Sequence, residues 1–347
     1  MSNEQLKSQF LSSVETPVKP AELAFIAKRC QSAGRKASSN DRIEIAAALA
    51  HAAFLAPDKT AESYDALSQG WLRREIRSPS ISSFDRPAEP VPKGLWEAYW
   101  GIVEDGLAGK LDALAITQRT AALGHFGTAQ SIARIAESSH QYNGVAEAGA
   151  REMPELIKLE TLEACPPASL GRLFHDLIVD NKFDLEVLDR TEIGLNALPA
   201  PLEYLNTRML QAHDLWHITA GYETTALHEI AISSFQMAQF GHNYSAQFLS
   251  IVGVIGALSP ARSYSILMDT ITDAWIHGRE TQAMILIPWE DVWNQPVEKI
   301  RTDYAIKPFE ARHRADIVER GQALQQKIER FAGIFRKLLW RSGKSIA

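Results

Sequence analysis

The sequence predicts an all-α fold, and three features support this prediction. Apolar residues recur at helical spacing along most of the 347 residues. No stretch shows the alternation of apolar and polar residues that is typical of a half-buried strand. Breaks containing proline or glycine separate the helical stretches, at 165–167, 198–201, 221, 260, 288, 296 and 308. We therefore expect a multi-helix core without a central sheet.

The sequence of residues 1–93 predicts a helical extension followed by a linker. Residues 43–55 are rich in alanine, and Asp41 before them and Pro57 after them are typical helix boundaries. Residues 69–77 continue the helical pattern. Residues 78–93 (SPSISSFDRPAEPVPK) are rich in serine and proline, so we expect an irregular linker there.

The chain ends in a predicted basic amphipathic helix. Its apolar residues advance by four and three positions and so share one face: Leu324, Ile328, Phe331, Phe335 and Leu338. Basic residues surround this face. Such a helix can lie on an anionic membrane surface, or it can dock on the core with its charges in water. We thus expect three parts: a helical extension with its linker at 1–93, an α-helical core at 94–310 and the amphipathic helix at 311–347.

Composition excludes several classes of protein. Asp and Glu number 42 against 36 Lys and Arg, a net charge of −6, which argues against a dedicated nucleic-acid binder. Cys30 and Cys165 are the only cysteines, so neither a disulfide framework nor a thiolate metal site is expected. The longest apolar stretch, residues 248–258, is too short for a membrane span of about 20 residues. It predicts a buried helix or the wall of an apolar cavity, and we expect a cytoplasmic protein.

Two histidines and two carboxylates form the most informative pattern. His213 and His217 are four residues apart, so on a helix they share a face and can grip one divalent metal. Asp214 lies about 100° further round the helix and can bind the metal or orient a histidine. On spacing alone, two core histidines without a metal remain the alternative interpretation.

Glu229 follows His217 after eleven residues and can join these ligands only if the helix breaks. In one unbroken helix Glu229 would lie about 24 Å from His213. Gly221 offers the break, and Thr224 or Thr225 can cap a second helix. Two His and two carboxylates suit Zn²⁺, Mn²⁺ or Fe²⁺, and the sequence does not choose among them.

The segment HDLWH, with eleven further residues and then Glu229, resembles the HDxxH-x11-E signature of the Coq-four family of ubiquinone (coenzyme Q) biosynthesis proteins. The resemblance covers about residues 150–307. It includes the proline-rich lead into Gly171 and Arg172, and the block AWIHGRETQAMILIPWEDVWNQPVEKIRTDYAI at 274–306. Residues 1–93 have no counterpart in it, and the tail after Lys307 is longer than the usual family ending.

The resemblance implies an all-α protein that binds a divalent metal, usually zinc, through His213, Asp214, His217 and Glu229. It implies a metal-dependent lyase that removes the C1 carboxylate of a polyprenylated hydroxybenzoate, with hydroxylation at that carbon also proposed. It further implies an apolar cavity for the polyprenyl chain, peripheral association with the inner face of the cell membrane, a homodimer, and contacts with other quinone-biosynthesis proteins. No nucleic acid partner is expected.

Two other functions stay open. A non-catalytic scaffold that binds lipid or quinone intermediates would keep the same site. A zinc-dependent hydrolase is weaker, because zinc proteases carry Glu after the first His where this chain has Asp214.

Four further residues are candidates for the site. Glu223 and His228 are the nearest unassigned acid–base groups, although both also suit solvent-exposed turns. Arg262 and Arg279 could pair with a carboxylate or phosphate head group, although they also suit surface or capping positions.

Overall fold

The protein is all-α, as the sequence predicts. Its computed structural model describes residues 3–183, 185, 190, 191, 194–321 and 323. Within these residues the only β-type pairing is an isolated bridge between Ser169 and Pro296. The predicted amphipathic face at 324–338 lies outside the described residues.

The described helices fall into three groups along the chain. Four precede the linker: α1 (Asn3–Glu15), α2 (Pro20–Ala33), α3 (Ser39–Phe54) and α4 (Thr60–Leu72). Six follow it: α5 (Leu95–Leu107), α6 (Ala113–Ala122), α7 (Ala129–Ser139), α8 (Val145–Ala148), α9 (Leu159–Glu163) and α10 (Leu170–Asn181). The last group is α11 (Leu202–Ala220), α12 (Ala226–Phe240), α13 (Asn243–Leu258), α14 (Ala261–Glu280), α15 (Trp289–Val292) and α16 (Val297–Asp303).

The N-terminal helices pack directly on the C-terminal ones. Helix α3 lies against α13, and α4 lies against both α2 and α14. The α2–α4 crossing is close enough to require glycine, because a Cβ at Gly70 would lie 2.1 Å from the carbonyl oxygen of Ala24. Helices on both sides of the linker therefore share one hydrophobic core. The three-part division of the chain stays a prediction.

The longest apolar stretch lies in α13 as a buried helix. Ile251, Val254 and Ala257 are fully buried. Gly256 permits the close approach of α14, since a Cβ there would lie 2.4 Å from the side chain of Leu267. In the part of the chain that is described, no helix is both long and apolar enough to cross a membrane.

Helices α11, α12 and α14 form the frame of the candidate site. Trp216 on α11 is fully buried and packs edge-to-face on Phe235 of α12, with ring centroids 5.5 Å apart. Helix α12 also lies along α14, where a Cβ at Gly278 would come within 2.7 Å of the Phe235 carbonyl oxygen. These contacts fix the two helices that carry the predicted metal ligands relative to each other.

Candidate metal centre

The chain reverses direction at the predicted break. Helix α11 ends at Ala220, and Gly221 adopts a left-handed conformation with φ of 79°. Its N–H donates to the carbonyl of His217 at 3.1 Å and so closes the last turn. Helix α12 begins five residues later, at Ala226. This turn carries Glu229 back toward the histidines.

The structure brings the predicted ligands together. The Nε2 atoms of His213 and His217 lie 3.2 Å apart. One carboxylate oxygen of Glu229 lies 3.4 Å from Nε2 of His213, and the other lies 3.3 Å from Nε2 of His217. Asp214 offers a ligand atom within 4.8 Å of those of the two histidines. Glu229 of the second helix therefore meets both histidines, and Asp214 lies beside these histidines on the first helix.

The donor separations suit a small divalent cation. In a tetrahedral zinc site with ligand distances of about 2.0–2.1 Å, neighbouring donor atoms lie about 3.3 Å apart. The 3.2 Å between the two histidine nitrogens agrees with this value, and each nitrogen has one oxygen of Glu229 at 3.3 or 3.4 Å, a different oxygen for each histidine. Imidazole nitrogen and carboxylate oxygen are also the donors that such metals accept. The residues fit the metal that the resemblance implies.

Hydrogen bonds behind the histidines orient their rings. Nδ1 of His217 lies 3.1 Å from the backbone carbonyl of Tyr222, to which it can donate. The side-chain amide of Gln236 hydrogen-bonds Nδ1 of His213. In each ring Nε2 is then the atom that faces the cluster, and ligation through it requires the proton to sit on Nδ1. The structure places the Gln236 amide nitrogen at Nδ1 of His213, so ligation by His213 through Nε2 requires this amide to turn over and its oxygen to accept the Nδ1 proton.

Electrostatics inside the cluster favour positive charge between the ligands. Burial tends to raise the pKa of Glu229, but hydrogen bonds and charge from His213 and His217 outweigh it and hold that pKa well below its usual range. Burial tends to lower the pKa of His213, yet the Glu229 and Asp214 carboxylates raise it above its ordinary value.

A cleft opens beside the cluster. It has a volume of about 330 Å³, and Leu177 and Tyr222 line it together with His217. Glu223, a predicted acid–base residue, also lines this cleft and is exposed. His228 is buried instead, and its Nδ1 accepts a hydrogen bond of 2.8 Å from the backbone N–H of Glu223. Glu223 thus faces the cleft, while His228 supports the turn that contains Glu223.

The structure does not bring the two candidate arginines to the histidines. Arg262 is exposed in the first turn of α14, and none of the described hydrogen bonds or ion pairs joins it to His213 or His217. The guanidinium of Arg279 donates to Asp65 at 3.3 Å and to the carbonyl of Pro79. A head-group role for either arginine stays a prediction that these contacts do not support.

Sequence reasoning missed the residues that support the ligands. Gln236 could have been found, because it lies seven residues after Glu229 and so shares a face of α12 with it. The Tyr222 carbonyl carries no sequence signal, since any residue would supply it.

Residues 148–310 match the family described as "Coenzyme Q (ubiquinone) biosynthesis protein Coq4". This match covers a little under half of the chain, and within it the chain is similar to the Coq4 family. The resemblance read from the sequence is confirmed, and His213, Asp214, His217 and Glu229 all lie inside the matched residues.

Several curated relatives carry the name ubiquinone biosynthesis protein COQ4 homolog, mitochondrial. The one from Drosophila virilis is 28% identical over 156 residues, which are 44% of this chain and 56% of the relative. The one from Drosophila pseudoobscura pseudoobscura is 26% identical over 197 residues, or 54% of this chain and 69% of the relative. This chain therefore spans little more than half the length of the first of these relatives.

A crystal structure from Nostoc punctiforme PCC 73102, of a protein assigned provisionally to ubiquinone biosynthesis, is also similar. It is 20% identical with a TM-score of 0.47, over 61% of this chain and 97% of that one.

Proposed function

We propose that the chain binds one divalent metal through His213, Asp214, His217 and Glu229 and uses it as a lyase of ubiquinone biosynthesis. The observation that carries this proposal is the set of three donor separations of 3.2–3.4 Å, formed by two helices beside an open cleft. The similarity of residues 148–310 to a family of ubiquinone biosynthesis proteins supports the class of pathway. Zn²⁺ is the metal we propose, because its usual ligands are of these types.

The proposed reaction removes the C1 carboxylate from a polyprenylated hydroxybenzoate. When bound, the metal would act as a Lewis acid on a carboxylate or phenolate oxygen of the substrate. The bond between C1 and the carboxylate carbon breaks, CO₂ leaves, and the electron pair on the ring carbon takes up a proton. Glu223 is our candidate to deliver that proton, because it lines the cleft beside His217.

We propose that the substrate tail leaves the cleft along α10. Leu177 of this helix lines the cleft, and Leu173, Val179 and Phe183 near it are 39%, 48% and 40% exposed. Exposed apolar side chains beside a cleft favour contact with a lipid. A peripheral position on the inner face of the membrane, a homodimer, and contacts with other quinone-biosynthesis proteins belong to the same proposal.

An assay of CO₂ release tests this function. The purified chain, with and without added Zn²⁺, is given a polyprenyl hydroxybenzoate labelled in its carboxylate. We expect metal-dependent release of labelled CO₂, and we expect His217→Ala to abolish it. His140→Ala is the control, because it changes an exposed histidine outside the cluster, and this variant should release CO₂ like the unaltered chain.

Two outcomes contradict the proposal in different ways. Tight metal binding without any CO₂ release would reject the lyase and favour the scaffold on the same site. Absence of metal binding by the unaltered chain would reject the metal site itself.

A further inference from the structure

One C-terminal segment holds both ends of the turn between the two ligand helices. We call Lys307–Glu319 the C-terminal bracket. The N–H of Phe309 donates to the carbonyl of Ala220, the last residue of α11, at 2.8 Å. The Glu319 carboxylate accepts from the N–H of Ala226, the first residue of α12, at 2.8 Å. The bracket therefore joins the end of the histidine helix to the start of the glutamate helix.

Glu319 replaces the local cap of α12. Thr225 has the extended backbone of an N-cap residue, but its side chain makes no capping hydrogen bond. Its hydroxyl is buried and lacks a partner among the described residues. A carboxylate at this position satisfies a free N–H and is stabilised by the helix dipole. Because Glu229 lies in the same first turn, the cap also restrains a predicted metal ligand.

Phe309 holds the residue that orients the second histidine. Its ring stacks on Tyr222, with centroids 4.7 Å apart and planes 22° apart. The carbonyl of Tyr222 is the partner of Nδ1 of His217. His277 closes the arrangement, since its Nδ1 accepts from the Tyr222 hydroxyl at 2.7 Å and its Nε2 donates to the carbonyl of Lys307 at 2.7 Å.

We propose that the C-terminal bracket positions the candidate metal centre, with Glu319 and Phe309 setting the placement of Glu229 and His217. This inference rests on the metal-binding half of the proposed function and not on the reaction. Glu319 lies beyond residues 148–310, where the family match ends. The site of this chain thus depends on a residue outside its family segment.

The affinity of the full chain for Zn²⁺ tests whether the C-terminal bracket positions the metal centre. This affinity is measured by competition with a chromophoric chelator. We expect Glu319→Ala to bind Zn²⁺ about tenfold more weakly, as for the loss of other groups that support metal ligands. Glu319→Gln should stay close to the unaltered chain, because its amide oxygen can still accept from Ala226. Glu310→Ala is the matched control, since it removes an exposed carboxylate of the same bracket.

Equal Zn²⁺ affinity of the unaltered chain and Glu319→Ala would overturn the inference and leave the proposed function standing. A lower thermal midpoint of metal-free Glu319→Ala with unchanged affinity would overturn it too, since the role would then be structural only. If Glu319→Ala does not fold, the Zn²⁺ affinity of Phe309→Leu is compared with that of the unaltered chain instead. We expect Phe309→Leu to bind Zn²⁺ several-fold more weakly, and equal affinity would overturn the inference. Absence of Zn²⁺ binding by the unaltered chain would reject both the inference and the metal site.

Discussion

At the scale of single residues, Gly221 ends α11 and so allows Glu229 to approach the ligands on that helix. The spacing of His213, His217 and Glu229 predicts a break, and glycine is the residue that tolerates the left-handed φ of 79° found there. The sequence could not reveal what supports the histidines. The Tyr222 carbonyl is a backbone group without a residue signature, and Glu319 is 93 residues away from the N–H that it caps.

Gly221→Ala should destabilise the metal-free protein by about 1–2 kcal/mol. The left-handed conformation costs an L-residue about that much. The new Cβ would also come within 3.0 Å of Pro308. Gly253→Ala is the control, because Gly253 is helical with open space at its Cβ, and there we expect a gain of about 0.5–1 kcal/mol. Urea unfolding measures both, and an equal effect of the two substitutions would contradict the assigned strain.

At the scale of elements, periodicity predicts the helices but not what joins them. The Ala-rich pattern at 43–55 gives α3, because this signal is local. The breaks near 201, 221 and 260 mark both ends of α11 and the start of α14, but the boundary between α12 and α13 at Gly241 was not predicted. Partners distant in sequence leave no such signal. The sequence suits Arg279 to a substrate head group or to a surface or capping position, and in the structure it donates to Asp65 on α4, 214 residues earlier.

The ion pair between α11 and α15 gives a second prediction. Arg208 is buried and donates to both carboxylate oxygens of Glu290. Glu290→Gln should cost about 2 kcal/mol, less than a fully buried pair, because the Glu290 side chain is 48% exposed. Glu298→Gln is the control: Glu298 pairs with Arg301 but is 79% exposed, and its loss should cost less than about 0.5 kcal/mol.

The same pair predicts a pH dependence of stability. Burial tends to raise the pKa of Glu290, but Arg208 outweighs it and lowers that pKa below its ordinary value. A carboxyl with a lowered folded-state pKa stabilises the protein above its unfolded-state pKa, and this stability is lost as pH falls through the lowered value. The cost of Glu290→Gln, measured by urea unfolding, should therefore shrink in acid. A cost that stays constant down to the acid transition would contradict this coupling.

At the scale of the whole molecule, residues before and after the family segment pack on it. Helices α3 and α4 cover α13 and α14, and Trp275 of α14 donates to Asp65 of α4 at 2.7 Å. The C-terminal bracket closes the turn that carries the cluster. Composition and periodicity predict an extension before a core, but they cannot reveal that both share one hydrophobic core, since helix packing depends on contacts distant in sequence.

The metal content of the full chain tests the central claim most directly. Elemental analysis after Zn²⁺ loading and gel filtration should give one ion per chain for the unaltered protein and for His140→Ala. His217→Ala and Glu229→Ala should each lose the ion, because they remove one donor from each of the two ligand helices. Retention of a full equivalent of zinc by both of these variants, or its absence from the unaltered chain, would contradict the account.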